Sequence, residues 1–396
     1  MNFNLHNRTI FLTMSGSHAY GMNTPTSDYD YRGICIPPMS SYIGFMDKFE
    51  QAVDSDKGKH VYTHFPVGFL KDDPRAQGAD QTLAPDMQIM ELTKFVSLAL
   101  SNNPSVLETL FTDDAEQLIV HPIMRKLLDS RDKMLSKQSK ARFCGYAVSQ
   151  LNRIKRHKRW LDNPPTKKPE RADFGLPEQG LLSPDQIGAA DALIQAELNE
   201  FMVDQTHLPE DVKIELNAAL GKSMRATWRA LHTNIPYPVG DGFKFESTEE
   251  ALYWGAAKDQ NFSDNFLQVL IQEKRYRTAK REWDQYQTWL SERNEKRAVL
   301  EKKFGFDTKH ASHLVRLLRM AREILEEGVV RVKRPDAKEL LAIRAGEWSY
   351  EQIVEFSEKE DVALNELVKT CKLPKVPDMR FFDNLVREMI VEFNHD

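Results

Sequence analysis

The feature that most constrains this chain is a pairing of two short motifs near its amino terminus. Thr9 to Met14 (TIFLTM) is an apolar, β-branched run that stops at Ser15-Gly16-Ser17, which predicts a buried strand ending in a tight turn. After ten residues, His18 to Ser27, the sequence Asp28-Tyr29-Asp30-Tyr31-Arg32-Gly33-Ile34-Cys35-Ile36 predicts a second strand, ended by Pro37-Pro38. Residues two apart on a strand share a face, so Asp28 and Asp30 are expected to project together and Tyr29 the other way. Two carboxylates side by side repel unless a cation lies between them, and hard oxygen donors at this spacing suit Mg²⁺. A Gly-Ser turn entering a helix offers backbone N–H groups and a hydroxyl to phosphate oxygens. A metal-dependent nucleotide site is the chemistry these residues describe, against the blander alternative of a solvated turn with two exposed aspartates.

The rest of the chain frames that motif. A third strand is expected at Asp86 to Leu92, running into a helix through Phe95, Leu98 and Ala99, with a short helix at Pro104 to Phe111. From about His121 the pattern turns to amphipathic helices: Arg142 to Trp160, Pro184 to Met202 with Ser183 as N-cap, and Pro209 to Leu231. Broken, Pro-rich connections fall at 163–177 and 236–242. Ser263 to about Lys303 reads as one helix of some forty residues, and a capped helix runs from Asp307-Thr308 to Gly328. Two more are expected at Tyr350 to Cys371 and Met379 to Phe393. The fold class is α+β: a mixed sheet with helices, then a mainly helical region. The expected divisions are an α/β core at 1–120 that carries the two motifs, a helical region with the basic connection and an insertion at 121–245, a helical lobe closing the cleft at 246–346 and a helical tail at 347–396.

Composition narrows the function classes. The 54 Lys and Arg against 59 Asp and Glu leave a net charge of −5, so no global positive field draws the chain onto nucleic acid and any polyanion site is local. Three isolated cysteines, Cys35, Cys144 and Cys371, indicate neither a disulfide framework nor a cysteine zinc site, and the expected compartment is the reducing cytoplasm. No stretch approaches the ~18 apolar residues of a membrane span, and no membrane partner is expected.

GSHAYG followed by TPTSDYDYRG resembles the nucleotidyltransferases of the DNA polymerase β superfamily, in particular the RlaP-like family associated with bacterial RNA repair operons and also found in phages. The stretches DMQIMELTKFVSLALSNNPSVLETLF, WLDNPPTKKPERADFGLP, FGFDTKHASHLVRLLRM and LLAIRAGEWSYEQI are similar to the same group, so the likeness extends over most of the chain outside 178–245. The resemblance implies a polymerase-β-like core and transfer of a nucleoside monophosphate from an NTP, such as ATP, to a hydroxyl, with release of pyrophosphate. By the same resemblance Gly16 and Ser17 hold the triphosphate and Asp28 and Asp30 bind two Mg²⁺ (or Mn²⁺) ions. Asp86 is the third carboxylate, a metal ligand that helps deprotonate the acceptor, with Glu91 and, more weakly, Asp80 as competitors. RNA or a tRNA-like end is the acceptor the family suggests. Nucleotidylation of a protein or small molecule is the alternative, and a non-catalytic nucleotide- or RNA-binding scaffold a third.

Other residues carry two readings each. His18 follows the turn and either touches the nucleotide or packs locally. Arg32 shares the face of Asp30 and either reaches phosphate or neutralises the carboxylates. On the helix from Asp307, Lys309, His313 and Arg316 fall on one stripe, flanked by His310 and Arg319; they supply cations to the triphosphate or form a solvated face. Arg153, Lys155, Arg156, Arg159, Lys167 and Lys168, with Lys158 and Arg171, form a basic run, and Lys274, Arg275, Arg277, Lys280 and Arg281 a second; either binds RNA backbone or is an ordinary basic helix face.

Overall fold

The structure is a computed structural model that describes residues 2–25, 27–43, 46–53, 60–66, 68–70, 86–180, 182–200, 248–259, 261–293 and 295–395. The expected Pro209–Leu231 helix, the 236–242 connection and Asp80 lie outside these residues. The chain forms two compact units, one of Met1–Asn163 with Asn294–Asp396, the other of Pro164–Arg293.

The first unit is built on a five-stranded sheet: β1 (Thr9–Ser15), β2 (Asp30–Cys35), β3 (Gln51–Val53), β4 (Asp86–Glu91) and β5 (Gln117–Val120), in the order β3-β4-β2-β1-β5. It is mixed, because β2 and β4 are parallel while the other pairs are antiparallel. Alternation splits the apolar side chains between two faces. Phe11, Ile34 and Met90 face the helical core, and Leu12, Tyr31, Cys35, Met87 and Ile89 face a smaller cluster with Val61, Phe65 and Leu70. The α+β expectation is thus met. The edge strands β3 and β5 were not expected: at three and four residues their identity comes from the ladder they join rather than from a local pattern. The second strand also starts later than expected. Its ladder begins at Ser15 opposite Asp30, so Asp28 precedes the regular strand.

The helical part of this unit contains α1 (Leu5–Arg8), α2 (Gly16–Ala19), α3 (Leu92–Leu100), α4 (Pro104–Leu110), α5 (Met124–Leu128) and α6 (Gln138–Asp162), followed after the excursion by α7 (Glu295–Phe304), α8 (Thr308–Glu327), α9 (Ala337–Arg344), α10 (Tyr350–Thr370) and α11 (Met379–His395). Helix α8 is its axis. Ala311, Leu314, Val315, Leu318, Met320, Ala321 and Ile324 are buried along it, Asp307 caps its start by accepting from the His310 N–H at 3.0 Å, and Gly328 ends it at φ +69°. Among the described residues no helix is long and apolar enough to cross a membrane. Cys35, Cys144 and Cys371 are all free thiols.

The second unit packs helices Pro184–Glu200, Thr248–Asp259 and Asp264–Glu292 around Ile187, Ile194, Trp254, Ala257, Leu267, Leu270 and Ile271. The single forty-residue helix expected from Ser263 is two. Ser263 caps its start, but Arg293 adopts φ −68° and ψ 117°, which ends it. The apolar stripe gives out first, since Tyr286 is buried and Leu290 exposed.

Candidate active site

The two motifs that opened the sequence meet at the open ends of β1 and β2. Ser15 pairs with Asp30 across the ladder, and Gly16 turns the chain away at φ +63° into the single turn of α2. A Cβ at Gly16 would collide with Asp30 Oδ2, so the absence of a side chain is what lets the Asp30 carboxylate lie against the turn. The His18 ring stacks on Tyr29, with centroids 4.1 Å apart and planes within 19°, which ties the helix after the turn to the Asp28-Tyr29-Asp30 segment.

Asp86 joins them through the sheet. It is the register partner of Asp30 on the neighbouring parallel strand, so both carboxylates leave the same face about one strand spacing apart. Asp28 is exposed and Asp30 half-buried, while the Asp86 side chain is 59% exposed. Arg32 lies on that face too, and its guanidinium forks onto Asp86, with Nη1–Oδ1 and Nη2–Oδ2 both at 3.3 Å. Asp30 and Asp86 on this face, with a glycine that makes room for one of them, offer the oxygen donors that a hard divalent cation such as Mg²⁺ or Mn²⁺ takes, although the oxygens of Asp28, Asp30 and Asp86 are not drawn together as three ligands around one point. Glu91 is placed differently. It is buried at the far end of β4, where its carboxylate caps α3 by accepting from the Thr93 and Lys94 N–H groups at 2.7 and 2.9 Å and from the Tyr42 hydroxyl at 2.8 Å.

Helix α8 reaches this turn through Arg316, though not with an open cation. Arg316 is 5% exposed and pairs with buried Glu108 of α4. Its guanidinium also lies 3.9 Å from the centre of the Tyr20 ring, whose hydroxyl donates to Glu108 Oε2 at 2.5 Å. Burial alone would lower the Arg316 pKa, but Glu108 and Tyr20 together hold it above the usual value, while burial chiefly raises that of Tyr20. Tyr20 follows α2 directly, so the triad braces the Gly16 turn from behind. One turn earlier on α8, His313 is kept well below its ordinary pKa by burial first and then by Arg316, Lys309, His310 and Arg344. Lys309 is exposed at the start of the helix.

A cation that sequence reasoning missed is Lys333. It is exposed and its Cγ lies 3.7 Å from where a Cβ on Gly21 would stand. The next residue, Arg334, donates its backbone N–H to the Tyr20 carbonyl at 3.0 Å. No local pattern marks Lys333, because its neighbour in space is the amino-terminal turn.

The basic runs divide by partner. Arg153, Lys155 and Arg159 are exposed on α6, whereas Arg156 lies over Trp160. In the second unit Lys168 is exposed, Lys167 pairs with Asp173 at 2.8 Å, and Arg171 is held by buried Glu273. Lys274 bonds Asp191 at 2.7 Å and Arg275 bonds Glu250 at 2.8 Å, so the second run is partly consumed in holding its own unit together.

Residues 2–168 match a family described as RlaP, RNA repair pathway DNA polymerase beta family. The likeness noted in the sequence therefore holds over the sheet, the turn and α6, and the match ends before the α8 segment. No curated protein and no solved structure matches the chain.

Proposed function

From the match of residues 2–168 to a polymerase-β-like RNA repair family, which suggests a nucleotidyltransferase, we propose that this protein transfers a nucleoside monophosphate from an NTP to a hydroxyl at an RNA or tRNA-like end. The observation that carries the proposal is the register pairing of Asp30 with Asp86, with Gly16 seated against the Asp30 carboxylate. The Gly-Ser turn and the Asp30 and Asp86 carboxylates thereby lie at one end of the sheet, which supports this reading.

In this reading Asp28, Asp30 and Asp86 hold two divalent cations. When bound, such cations neutralise charge building on the α-phosphate and acidify an acceptor hydroxyl. The chain's own residues do the rest. Gly16 and Ser17 seat the triphosphate, and His18 stays in place through its stack on Tyr29. Asp86 takes the proton of the acceptor hydroxyl, whose oxygen bonds to the α-phosphorus as the bond to the pyrophosphate oxygen breaks. Arg32 balances the charge of Asp86 until the cluster is loaded, and Arg316 acts as a positioning residue through Tyr20. Lys309, His313 and Lys333 are the remaining candidates for nucleotide contact, and Arg153, Lys155 and Arg159, with Arg156, Lys167 and Lys168, for the RNA backbone.

The test is incubation of the purified protein with Mg²⁺ and labelled NTPs, first with an RNA pool and then with a protein lysate. Label on RNA 3′ ends that disappears in an Asp28→Asn/Asp30→Asn variant is the expected result. Label confined to protein after RNase treatment would replace the RNA acceptor with a protein. An unlabelled outcome in both arms, with nucleotide still bound, would favour a scaffold.

A further inference from the structure

A second constellation of donors lies within the first unit, away from the three aspartates of the sheet. His157, on α6, faces the start of α8, where Asp307 and His310 sit one helical turn apart. Asp307 is fully buried, His157 is 8% exposed, and the His310 side chain is 12% exposed. The Asp307 carboxylate divides its work. Oδ1 accepts the His310 N–H as the helix cap, while Oδ2 lies 3.5 Å from His157 Nδ1 and 3.6 Å from His310 Nε2. One donor atom from each of the three residues falls within 4.8 Å of the others.

These separations are long for charge-assisted hydrogen bonds, which run at about 2.7–2.9 Å. The two carboxylate–imidazole separations do match edges of a tetrahedron around zinc, since bonds of about 2.0–2.2 Å to nitrogen and oxygen place ligand atoms about 3.3–3.6 Å apart, and the two imidazole donors lie within 4.8 Å of each other. Two imidazoles and one carboxylate select a zinc-class transition ion over Mg²⁺, which takes oxygen donors. We propose that His157, Asp307 and His310 bind one zinc-class transition-metal ion that pins α6 to the amino terminus of α8. The ion is separate from those expected at Asp28, Asp30 and Asp86, and the proposal stands whether or not the protein transfers nucleotides. Three protein donors leave a position for water or another small ligand.

The full-length protein, stripped with a chelator and dialysed, is titrated with Zn²⁺ and, separately, with Co²⁺. One equivalent of Zn²⁺ per chain and a raised thermal midpoint are expected, together with the visible absorption of four- or five-coordinate Co²⁺. The Asp28→Asn/Asp30→Asn protein should keep all three signals, and His157→Gln and His310→Gln should lose them. Failure of the wild-type protein to bind Zn²⁺, a Co²⁺ spectrum typical of six oxygen donors, or full retention of the signals in His310→Gln would each overturn the proposal. The wild-type Co²⁺ spectrum decides the matter even if a histidine variant does not fold.

Discussion

The Asp30 carboxylate lies against the α-carbon of Gly16 so closely that no side chain at position 16 can share the space. Gly16 also holds φ +63°, where residues with a Cβ are strained. Two demands thus converge on one glycine, one from the backbone of the turn and one from the carboxylate beside it.

Gly16→Ala is therefore expected to disturb the site more than the fold. The left-handed backbone costs about 1–2 kcal/mol, and the methyl group displaces Asp30. A modest fall in the denaturation midpoint with loss of nucleotide transfer is the expected pair of results. Full transfer by the alanine variant would show that the close approach is not needed.

The two carboxylates at the ends of β4 should separate by assay. Asp86→Asn removes an exposed charge and should leave the denaturation midpoint nearly unchanged while abolishing transfer. Glu91→Gln weakens a helix cap and a buried hydrogen bond, at a cost of about 1–2 kcal/mol, and transfer per folded molecule should persist. The opposite pattern, measured by urea denaturation and single-turnover labelling, would exchange their roles.

Removing one side of the buried Glu108–Arg316 pair leaves an uncompensated charge. Glu108→Gln and Arg316→Met are each expected to cost about 3–5 kcal/mol, whereas replacing both with apolar residues of similar volume should cost much less. Tyr20→Phe, which removes only the hydroxyl, is expected to cost about 1.5–3 kcal/mol. A double-mutant cycle reads the coupling directly, and purely additive losses would contradict it.

His313 sets a pH dependence. Its pKa is lowered in the folded protein, chiefly by burial, so below about 6.5 the unfolded chain binds a proton that the folded chain does not. Its contribution is fully present above that value and is lost as the pH falls toward the folded pKa, with a limiting slope of about 1.4 kcal/mol per pH unit. His313→Gln should flatten this part of the stability profile between pH 6.5 and pH 5. An unchanged slope would mean that another group carries it.

Much of the candidate site could be read before the fold was known. An apolar run broken by Gly-Ser, then Asp-x-Asp on an alternating segment, marked Gly16, Asp28 and Asp30, because turn chemistry and strand alternation are local properties. Asp86 was legible as the start of a strand, but its competition with Glu91 was not resolvable. That choice depends on which residue sits in register with Asp30 and which caps the following helix, and both are matters of pairing. The edge strands Gln51–Val53 and Gln117–Val120 were invisible for a related reason: short segments take strand form only when a neighbour supplies the hydrogen bonds.

What the sequence alone determined is the residue types available: a Gly-Ser turn, an Asp-x-Asp segment with a further aspartate at the start of a strand, and a helix bearing a basic stripe. Periodicity and capping are written within a few residues, as the Asp307 cap and the Gly328 stop illustrate. Tertiary structure decided how those groups are used. It buried Arg316 against Glu108 and Tyr20 where the stripe alone suggested an exposed cation, and it brought Lys333 to the turn. It also gathered His157 with Asp307 and His310, residues separated in sequence by the whole second unit. The physical reason is that desolvation and charge pairing act between groups that meet in space, so whether a given arginine braces a turn or a given histidine faces a carboxylate is settled only when helices from distant parts of the chain pack together.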